Sequence, residues 1–364
     1  MGADGAASGV AGGALGSDGL PRASGVVERI DGYQRRHRWV GLPLAVVYKF
    51  VDDQGSYLAA LIAYYGFVSL FPLLLLLVTV LGFALGDNPG LQQQVLHSAL
   101  RDFPIIGDQI GQNIHSLHGS VAAVVIGVLG SLYGGLGVTR AVQHALNTVW
   151  AVPRAVRPDP IRAFVRGLSL LFLFGVGVLA TTALSALTIG AGSYGATLGV
   201  GLRIAAVLLA VVVNTVLFIV AFRVLTVKDV SISQTRTGAI LAALAWQALQ
   251  ELGTYFVAHG LKGSTATYGL FGLVLGLLAW IYVAALIVVF CAELNVVRAK
   301  HLWPRSLLTP FTDNVDLTRA DKSAYTSYAQ AEQHKGFEHI NVEFQPPLDP
   351  TKQPPVSGSP ASGP

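Results

Sequence analysis

Residues 56–86 read SYLAALIAYYGFVSLFPLLLLLVTVLGFALG, a stretch of 31 residues without one charged side chain. The hydrocarbon core of a bilayer is about 30 Å thick, and a helix needs about 20 apolar residues to cross it. Five further stretches are similarly apolar, and only one of the six contains an acidic residue. They are Gly119–Thr139, Gly167–Ile189, Ile204–Phe222, Thr237–His259 and Gly269–Ala292. We predict an all-α, polytopic membrane protein with six transmembrane helices.

The composition supports a membrane environment. Charged residues make up 12% of the chain and hydrophobic residues 52%, and the mean hydropathy is +0.57. A typical soluble domain has about 25% charged residues, which it needs to cover its surface. The net charge of +4 does not indicate nucleic-acid binding, because the basic residues flank the spans instead of forming a dense stripe. We therefore expect membrane lipids around the chain and no nucleic-acid partner.

The distribution of Lys and Arg predicts how the chain is threaded. Six precede the first span, five lie in the second gap, three in the fourth gap and three soon after the sixth span. The first, third and fifth gaps contain one each. Basic residues accumulate on the cytoplasmic side of membrane proteins. The alternation predicts that both termini are cytoplasmic and that the chain is a multi-pass protein of the plasma (inner) membrane.

The predicted membrane domain covers residues 41–301. Residues 1–40 are predicted to be a mostly disordered cytoplasmic tail because they are rich in Gly, Ala and Ser. Residues 302–364 are predicted to be a largely disordered cytoplasmic tail that is rich in Pro and Ser, with one short helix near Lys322–His334.

Amphipathic segments are predicted on both sides of the membrane. Leu91–Leu117, in the first outer loop, is too polar to span a bilayer, but its apolar residues recur at helical spacing on either side of Pro104 and Gly107. Two short helices on the outer surface fit this pattern, and a re-entrant cap is the alternative. Arg35–Phe50 is predicted to form a further helix on the inner surface, with its length limited by Pro43.

The first span contains a group of candidate path residues. Pro72 is expected to kink the helix near mid-membrane, and Ser69, three residues earlier, can form a local hydrogen bond. Tyr64 and Tyr65 lie two turns away. Broken helices often line the substrate site of transporters, although a proline kink also occurs in helices that only pack. Gly130 and Gly134 in the second span form a small-xxx-small pair, which predicts close helix packing or a hinge.

Glu251 is the acidic residue inside a predicted span. At 1.5 Å per residue it lies about 21 Å along the fifth helix, in the outer third of the bilayer. A charge at that depth is costly unless it is paired or faces water. Gln247 precedes it by one turn, and Asn214 in the fourth span is a candidate partner. These residues predict either a polar cavity along a translocation path or a hydrogen-bonded knot that fixes packing.

Five charged residues are expected near one depth at the inner face. They are Asp52, Asp53, Arg140, Glu293 and Arg298. They could form a cytoplasmic-face collar of ion pairs that opens or closes a path. The alternative is an ordinary solvated interface.

No pattern in the chain indicates an enzyme. The sequence contains no phosphate-binding GxxxxGK[ST] loop, no HExxH, no GxSxG and no kinase signature. It has one cysteine, Cys291, and no Cys/His spacing typical of a metal site. We predict no catalytic residues, no metal and no cofactor.

Several separated motifs resemble the YihY/BrkB family of bacterial inner-membrane proteins. They are Val51–Asp53, Ala59–Tyr65, Ser69–Leu74, Ala145–Trp150, Tyr268–Gly269, Trp280–Tyr282 and Ala292–Asn295. The resemblance implies a six-helix integral membrane protein with a link to serum resistance and to transport or lipid handling at the envelope. The family has also carried the label of a tRNA-processing ribonuclease, which this sequence does not support because it has no acid/base or metal constellation.

Taken together, the residues and the resemblance predict a transporter or a translocator of a lipid or other envelope component. The substrate would be a small molecule, an ion or a lipid, and the sequence itself names none. The alternative is a non-transporting scaffold of an envelope or virulence-related complex.

Overall fold

A computed structural model describes residues 23–84, 121–159, 161–172, 175–177, 196–227, 229–260, 265–307, 309 and 315–345. Within these ranges the chain forms helices and no strand, as predicted for an all-α protein. The helices are α1 (Ala23–Arg36), α2 (Arg38–Asp52), α3 (Gly55–Ala84), α4 (Val121–Val149), α5 (161–172), α6 (Ala196–Leu225), α7 (Ile232–Gly260), α8 (Thr265–Lys300) and α9 (Arg319–Ala331).

The long helices follow the apolar stretches of the sequence. Helices α3, α4, α6, α7 and α8 cover the first, second, fourth, fifth and sixth predicted spans, and α5 covers the start of the third. Among the described residues, three segments are long and apolar enough to cross a membrane: Val125–Val149, Ile204–Leu225 and Val274–Lys300. The two helices predicted for Leu91–Leu117 lie outside the described residues.

Helix α8 is the centre of the bundle. It contacts α2, α3, α4 and α7, while α3 pairs with α4 and α6 pairs with α7. Large apolar side chains face outward on the long helices, and Ile126, Leu129 and Leu208 are 62%, 63% and 60% exposed. An extensive apolar outer surface of this kind suits a lipid environment, since soluble monomers rarely expose large contiguous apolar patches.

The start of α3, the end of α4, the end of α6, the start of α7 and the end of α8 meet at one end of the bundle, which we call the basic end. Side-chain hydrogen bonds join these elements. Asn147 accepts from the backbone N–H of Val227 at 3.1 Å, and Asn295 accepts from that of Gly238 at 2.7 Å. The name reflects the sequence, because the four segments that are rich in Lys and Arg converge here.

A cluster of buried apolar residues also lies at the basic end. It contains Val46 from α2, Val149 from α4, Phe222 from α6 and Val296 from α8, each at most 2% exposed. The helices therefore pack as a compact core at the basic end and turn apolar side chains outward along their length.

Helix α4 approaches α3 through a row of glycines, which we call the glycine seam. The facing pairs are Gly130 with Pro72, Gly134 with Ser69 and Gly137 with Tyr65. A Cβ atom at Gly134 would lie 2.5 Å from the Cα atom of Ser69, closer than any side chain allows. This is the close helix approach that the Gly130-xxx-Gly134 spacing predicts.

The described parts of the two predicted tails are structured. The N-terminal part contributes α1, and the inner-surface helix predicted for Arg35–Phe50 is α2, which continues through Pro43 instead of ending there. Pro43 lies within the first two turns of α2, where only one early hydrogen bond is lost. In the C-terminal part, the short helix predicted near Lys322–His334 is α9.

Residues 302–307 pack into the basic end, and Arg305 and Ser306 are at most 1% exposed. The disorder predicted for most of the C-terminal tail therefore does not hold for residues 302–307. Composition alone predicted a solvated tail here, but long-range polar contacts hold the segment in place.

Candidate functional site

The candidate site begins at the turn between α2 and α3. Helix α2 ends at Asp52, and the backbone N–H of Asp53 still donates to Lys49 at 2.9 Å. Gln54 then adopts a left-handed conformation with φ of 54°, which reverses the chain into α3. The tight turn places two successive carboxylates at the basic end, and each of them reaches a different partner.

Lys49, Asp53 and Glu293 form the inner triad. Lys49 lies one helical turn before Asp53, and its Nζ atom contacts the Asp53 carboxylate and lies 3.2 Å from Oε2 of Glu293 on α8. The three residues are 1%, 8% and 0% exposed. Ion pairs at this level of burial are held by direct partners because water cannot solvate them.

Burial acts on the ionisation of this triad. It raises the pKa of Asp53, and the nearby Lys49 ammonium opposes that rise without cancelling it. For Lys49 burial alone would lower the pKa, but the carboxylates of Glu293 and Asp53 outweigh it, so the pKa of Lys49 is raised. The lysine therefore stays charged, while Asp53 binds a proton more readily than an exposed aspartate.

Arg305, Asp321 and Asp52 form the outer triad. The Arg305 guanidinium lies between the two carboxylates, with Nε 2.5 Å from Oδ1 of Asp321 and Nη2 3.0 Å from Oδ2 of Asp52. Arg305 and Asp321 are buried, whereas the Asp52 side chain is 30% exposed. These carboxylates raise the pKa of Arg305 above its usual value even though burial opposes them.

Local sequence fixes Asp321 before Arg305 reaches it. The residues Thr318 to Asp321 form a capping box at the start of α9, in which each side chain accepts from the other residue's backbone N–H. Asp321 also accepts from the backbone N–H of Ser306 at 3.0 Å. A single carboxylate thus caps α9, holds the segment after α8 and pairs with Arg305.

Tyr328 of α9 joins the two triads. Its ring lies 5.4 Å from Nζ of Lys49, within range of a cation–π contact, and its hydroxyl lies 3.5 Å from Oδ2 of Asp52. Burial raises the pKa of Tyr328, with further contributions from Asp53 and Asp52. We call the inner triad, the outer triad and Tyr328 together the buried charge cluster.

Helices α1 and α2 fasten the segment that carries Arg305. Gln34 donates to the backbone carbonyl of Arg305, and Asp31 accepts from the backbone N–H of Leu307 at 3.1 Å. The hydroxyl of Tyr48 donates to the carbonyl of Leu307 at 2.9 Å. The segment after α8 is therefore held from two sides by residues near the start of the chain.

The predicted collar is assembled only in part. Asp52, Asp53 and Glu293 meet in the buried charge cluster, whereas Arg140 and Arg298 are exposed and pair with no carboxylate in the described ranges. Lys49, Arg305 and Asp321 supply the remaining charges. Lys49 could have been found from its spacing, because it precedes Asp53 by four residues on one helix face.

The candidate path residues of α3 lie along the glycine seam. Tyr65, Ser69 and Pro72 pack against α4, and Ser69 forms the expected local hydrogen bond, donating to the carbonyl of Gly66 at 2.8 Å. Tyr64 is 59% exposed, and its ring meets that of Tyr65 edge-on at 5.3 Å.

The second group of candidate path residues lies on α6 and α7, which contact each other. Asn214 and Gln247 are half-buried, and Glu251 is exposed and forms no ion pair with a described residue. A cleft of about 470 Å³ lies nearer the basic end and contains Val216, Val220, Arg223 and Asp229 in its lining, but not Asn214. Within the described ranges, no group of His, Cys, Asp and Glu side chains is suited to hold a metal ion.

Two proteins with similar sequences are named as membrane proteins. The chain is 24% identical over 270 residues to a "UPF0761 membrane protein" of Azotobacter vinelandii, covering 71% of this chain and 64% of that protein. It is 24% identical over 286 residues to a protein of the same name from Alkalilimnicola ehrlichii, with coverages of 77% and 63%. The chain thus matches slightly less than two thirds of the length of these two relatives.

An uncharacterized protein of Dickeya dadantii is 27% identical over 264 residues, which cover 67% of this chain and 79% of that protein. No solved structure matches the chain. The family profile described as "Virulence factor BrkB" matches residues 46–310, a region that contains the inner triad and Arg305. The chain therefore belongs to the BrkB family of membrane proteins.

Proposed function

We propose that this protein crosses the bacterial plasma (inner) membrane six times, with the basic end on the cytoplasmic side, and translocates a small molecule, an ion or a lipid component. The observation that carries this proposal is the buried charge cluster at the basic end. It draws ionisable groups from α2, α8, α9 and the segment after α8 into one site.

A purely structural contact would not require so many buried charges. Replacing a buried ion pair with apolar residues is often neutral or stabilising, whereas ion pairs can exchange partners between two arrangements. The outer triad has the character of a closing contact, because it joins the segment after α8 to the turn before α3. Its opening would free the cytoplasmic end of the bundle while α8 stays packed against α3 and α4.

Glu251 supports a path through the apolar part of the bundle. Its carboxylate is exposed on α7, a helix whose other exposed residues include Leu244 and Leu252. A charged group in such surroundings is expected to face water or a passing polar group. Gln247, one turn before it, extends the polar character along the same helix face.

Liposome flux assays test the proposal. The purified protein would be reconstituted with an NBD-labelled phospholipid for dithionite quenching and, in parallel, with a pH-sensitive dye inside the vesicles. We expect faster lipid exchange or ion flux than in empty liposomes, and a loss of that flux in Glu251→Gln. Glu338→Gln is the matched control because Glu338 lies outside the bundle after α9. Flux that is unchanged in Glu251→Gln would contradict the path, and absence of any flux would favour the second candidate.

The second candidate is a scaffold for an envelope complex. Residues 332–345 follow α9 and are largely exposed, and Phe337 is 86% exposed. An exposed aromatic side chain beside an anchored helix is a suitable contact for a protein partner. In this case, removal of residues 332–345 would abolish in-cell crosslinks to the partner while the membrane bundle remains folded.

A further inference from the structure

The inner triad contains one cation and two carboxyl groups in a site that excludes water. Lys49, Asp53 and Glu293 are at most 8% exposed. If both carboxyl groups were ionised, the triad would carry a net negative charge. An uncompensated charge in such a site is strongly unfavourable, and buried acids usually bind a proton instead.

The surrounding groups do not supply a second cation. Arg305 is held between Asp52 and Asp321 in the outer triad, and Asp52 adds negative charge near Asp53. From α9, Tyr328 presents a neutral ring to Lys49. Among the described residues, Lys49 is the cation that contacts Asp53 and Glu293.

The hydrogen bonding of Glu293 indicates where a proton belongs. Neither carboxylate oxygen of Glu293 accepts a hydrogen bond from the described residues, although Oε2 lies 3.2 Å from the Lys49 ammonium. The carboxyl groups of Asp53 and Glu293 both contact the Nζ atom of Lys49, so one ammonium holds them together. Two carboxylates can only accept, whereas a protonated carboxyl group donates to its neighbour.

We propose that the inner triad binds one exchangeable proton, which is shared between the carboxyl groups of Asp53 and Glu293. The triad then contains one ammonium, one carboxylate and one carboxylic acid, and it is neutral overall. This inference goes beyond the proposed function, because it concerns the ionisation of the site and holds whether or not the protein translocates a solute.

Infrared spectroscopy of the full-length protein tests the shared proton. A buried protonated carboxyl group gives a C=O stretch that carboxylates lack, and the band shifts in D₂O. We expect this band in the wild type at neutral pH and its loss in both Glu293→Gln and Asp53→Asn. Each substitution leaves one carboxylate paired with Lys49, so neither variant needs the proton. Near-isosteric amides also limit the disturbance of packing.

Two further variants make the assignment specific. Glu251→Gln is the control for a carboxyl group outside the inner triad and should leave the Asp53- and Glu293-dependent band in place. In Lys49→Met the cation is lost, and we expect the band to persist to a pH about 1–3 units higher, because a neighbouring opposite charge lowers a carboxyl pKa by that amount.

Three results would overturn the proposal. The first is the absence of the band in the wild type at neutral pH. The second is a band that both Asp53→Asn and Glu293→Gln leave intact. The third is a band that survives Asp53→Asn but is lost in Glu293→Gln, which would assign the proton to Glu293 alone.

Discussion

The helices are held together by polar contacts at the basic end and by close backbone contact along the glycine seam. At the basic end, helices are joined by buried ions and amides, such as the contacts of Arg305 and Asn295. At the glycine seam, α3 and α4 are joined by the absence of side chains, and the Ser69 backbone lies against Gly134. The difference follows the solvent, because lipid offers no hydrophobic driving force between helices and favours small residues that allow close contact.

The two regions should therefore fail in different ways. Loss of one charge at the basic end leaves its partner buried without compensation, and the cost is electrostatic. An added methyl group at the glycine seam separates two backbones, and the cost is steric. The lone Cys291 is buried and can report both kinds of failure, because a thiol-reactive dye labels it only when the bundle opens.

The largest effect is expected at the outer triad. In Arg305→Ala, Asp321 stays buried without its cation, and breaking a buried pair in this way typically costs about 3–5 kcal/mol. We expect a marked fall in the thermal midpoint of Cys291 labelling in detergent. The segment after α8 should also become sensitive to limited proteolysis, because Arg305 links it to α9 and to Asp52.

The control is an ion pair at the other end of α9. Arg154 lies 2.8 Å from Glu332, but the two side chains are 50% and 60% exposed. Exposed pairs contribute about 0–1 kcal/mol, so Arg154→Ala should leave the midpoint and the proteolysis pattern nearly unchanged. Equal behaviour of the two variants would mean that the outer triad does not close the basic end.

A smaller effect is expected at the glycine seam. Gly134→Ala places a Cβ atom against the backbone of Ser69, and overpacking of this kind typically costs about 1–3 kcal/mol. We expect a lower thermal midpoint of Cys291 labelling, with no increase in proteolysis of the segment after α8. That pattern would separate a steric failure in the bundle from an electrostatic failure at the basic end.

Gly201→Ala provides the matched control. Gly201 lies on α6, and a Cβ atom there would contact no described residue outside its own stretch of helix within 4 Å. The same substitution should be neutral or slightly stabilising at this position, since alanine favours helix more than glycine does. If Gly134→Ala were as harmless as Gly201→Ala, close packing would not be what joins α3 to α4.

The contrast between the regions also explains what the sequence could predict. The helices and the glycine seam follow from local composition, because apolar length and the Gly130–Gly134 spacing need no knowledge of distant partners. The positions of the predicted spans also place Asp53 and Glu293 near the same depth at the inner face. The same reasoning predicts a similar depth for Arg140. The side of α4 from which Arg140 projects depends on packing, however, and its side chain is exposed.

The outer triad could not be predicted in the same way. Asp52 and Arg305 are 253 residues apart in sequence, and Arg305 lies in a segment that the composition predicts to be a tail. The capping box of Thr318 and Asp321 fixes the start of α9, but it does not indicate Arg305 as a partner of Asp321. These long-range ion pairs form because the segment after α8 packs against α2 and α9. Hydrophobic periodicity and charge counts contain no information about that packing.

The smallest effect is a pH dependence that arises at the inner triad. Burial raises the pKa of Asp53 above its ordinary value of 3.8, so the folded state retains a proton that the unfolded chain has released. Stability from this group is therefore fully present below the unfolded pKa of 3.8 and is lost as the pH rises through the folded pKa. The slope is at most about 1.4 kcal/mol per pH unit for one proton.

Asp53→Asn removes the pH-dependent contribution of Asp53 to stability, because asparagine does not titrate. The thermal midpoint of the wild type should fall relative to that of Asp53→Asn as the pH rises from about 4 towards neutrality. Contributions from carboxylates outside the inner triad are common to both proteins and cancel in the difference, so the difference reports the titration of the inner triad. A difference that stayed constant with pH, or that grew in favour of the wild type, would show that Asp53 is ionised in the folded protein. The inner triad would then resemble the outer triad, as a set of permanent ion pairs.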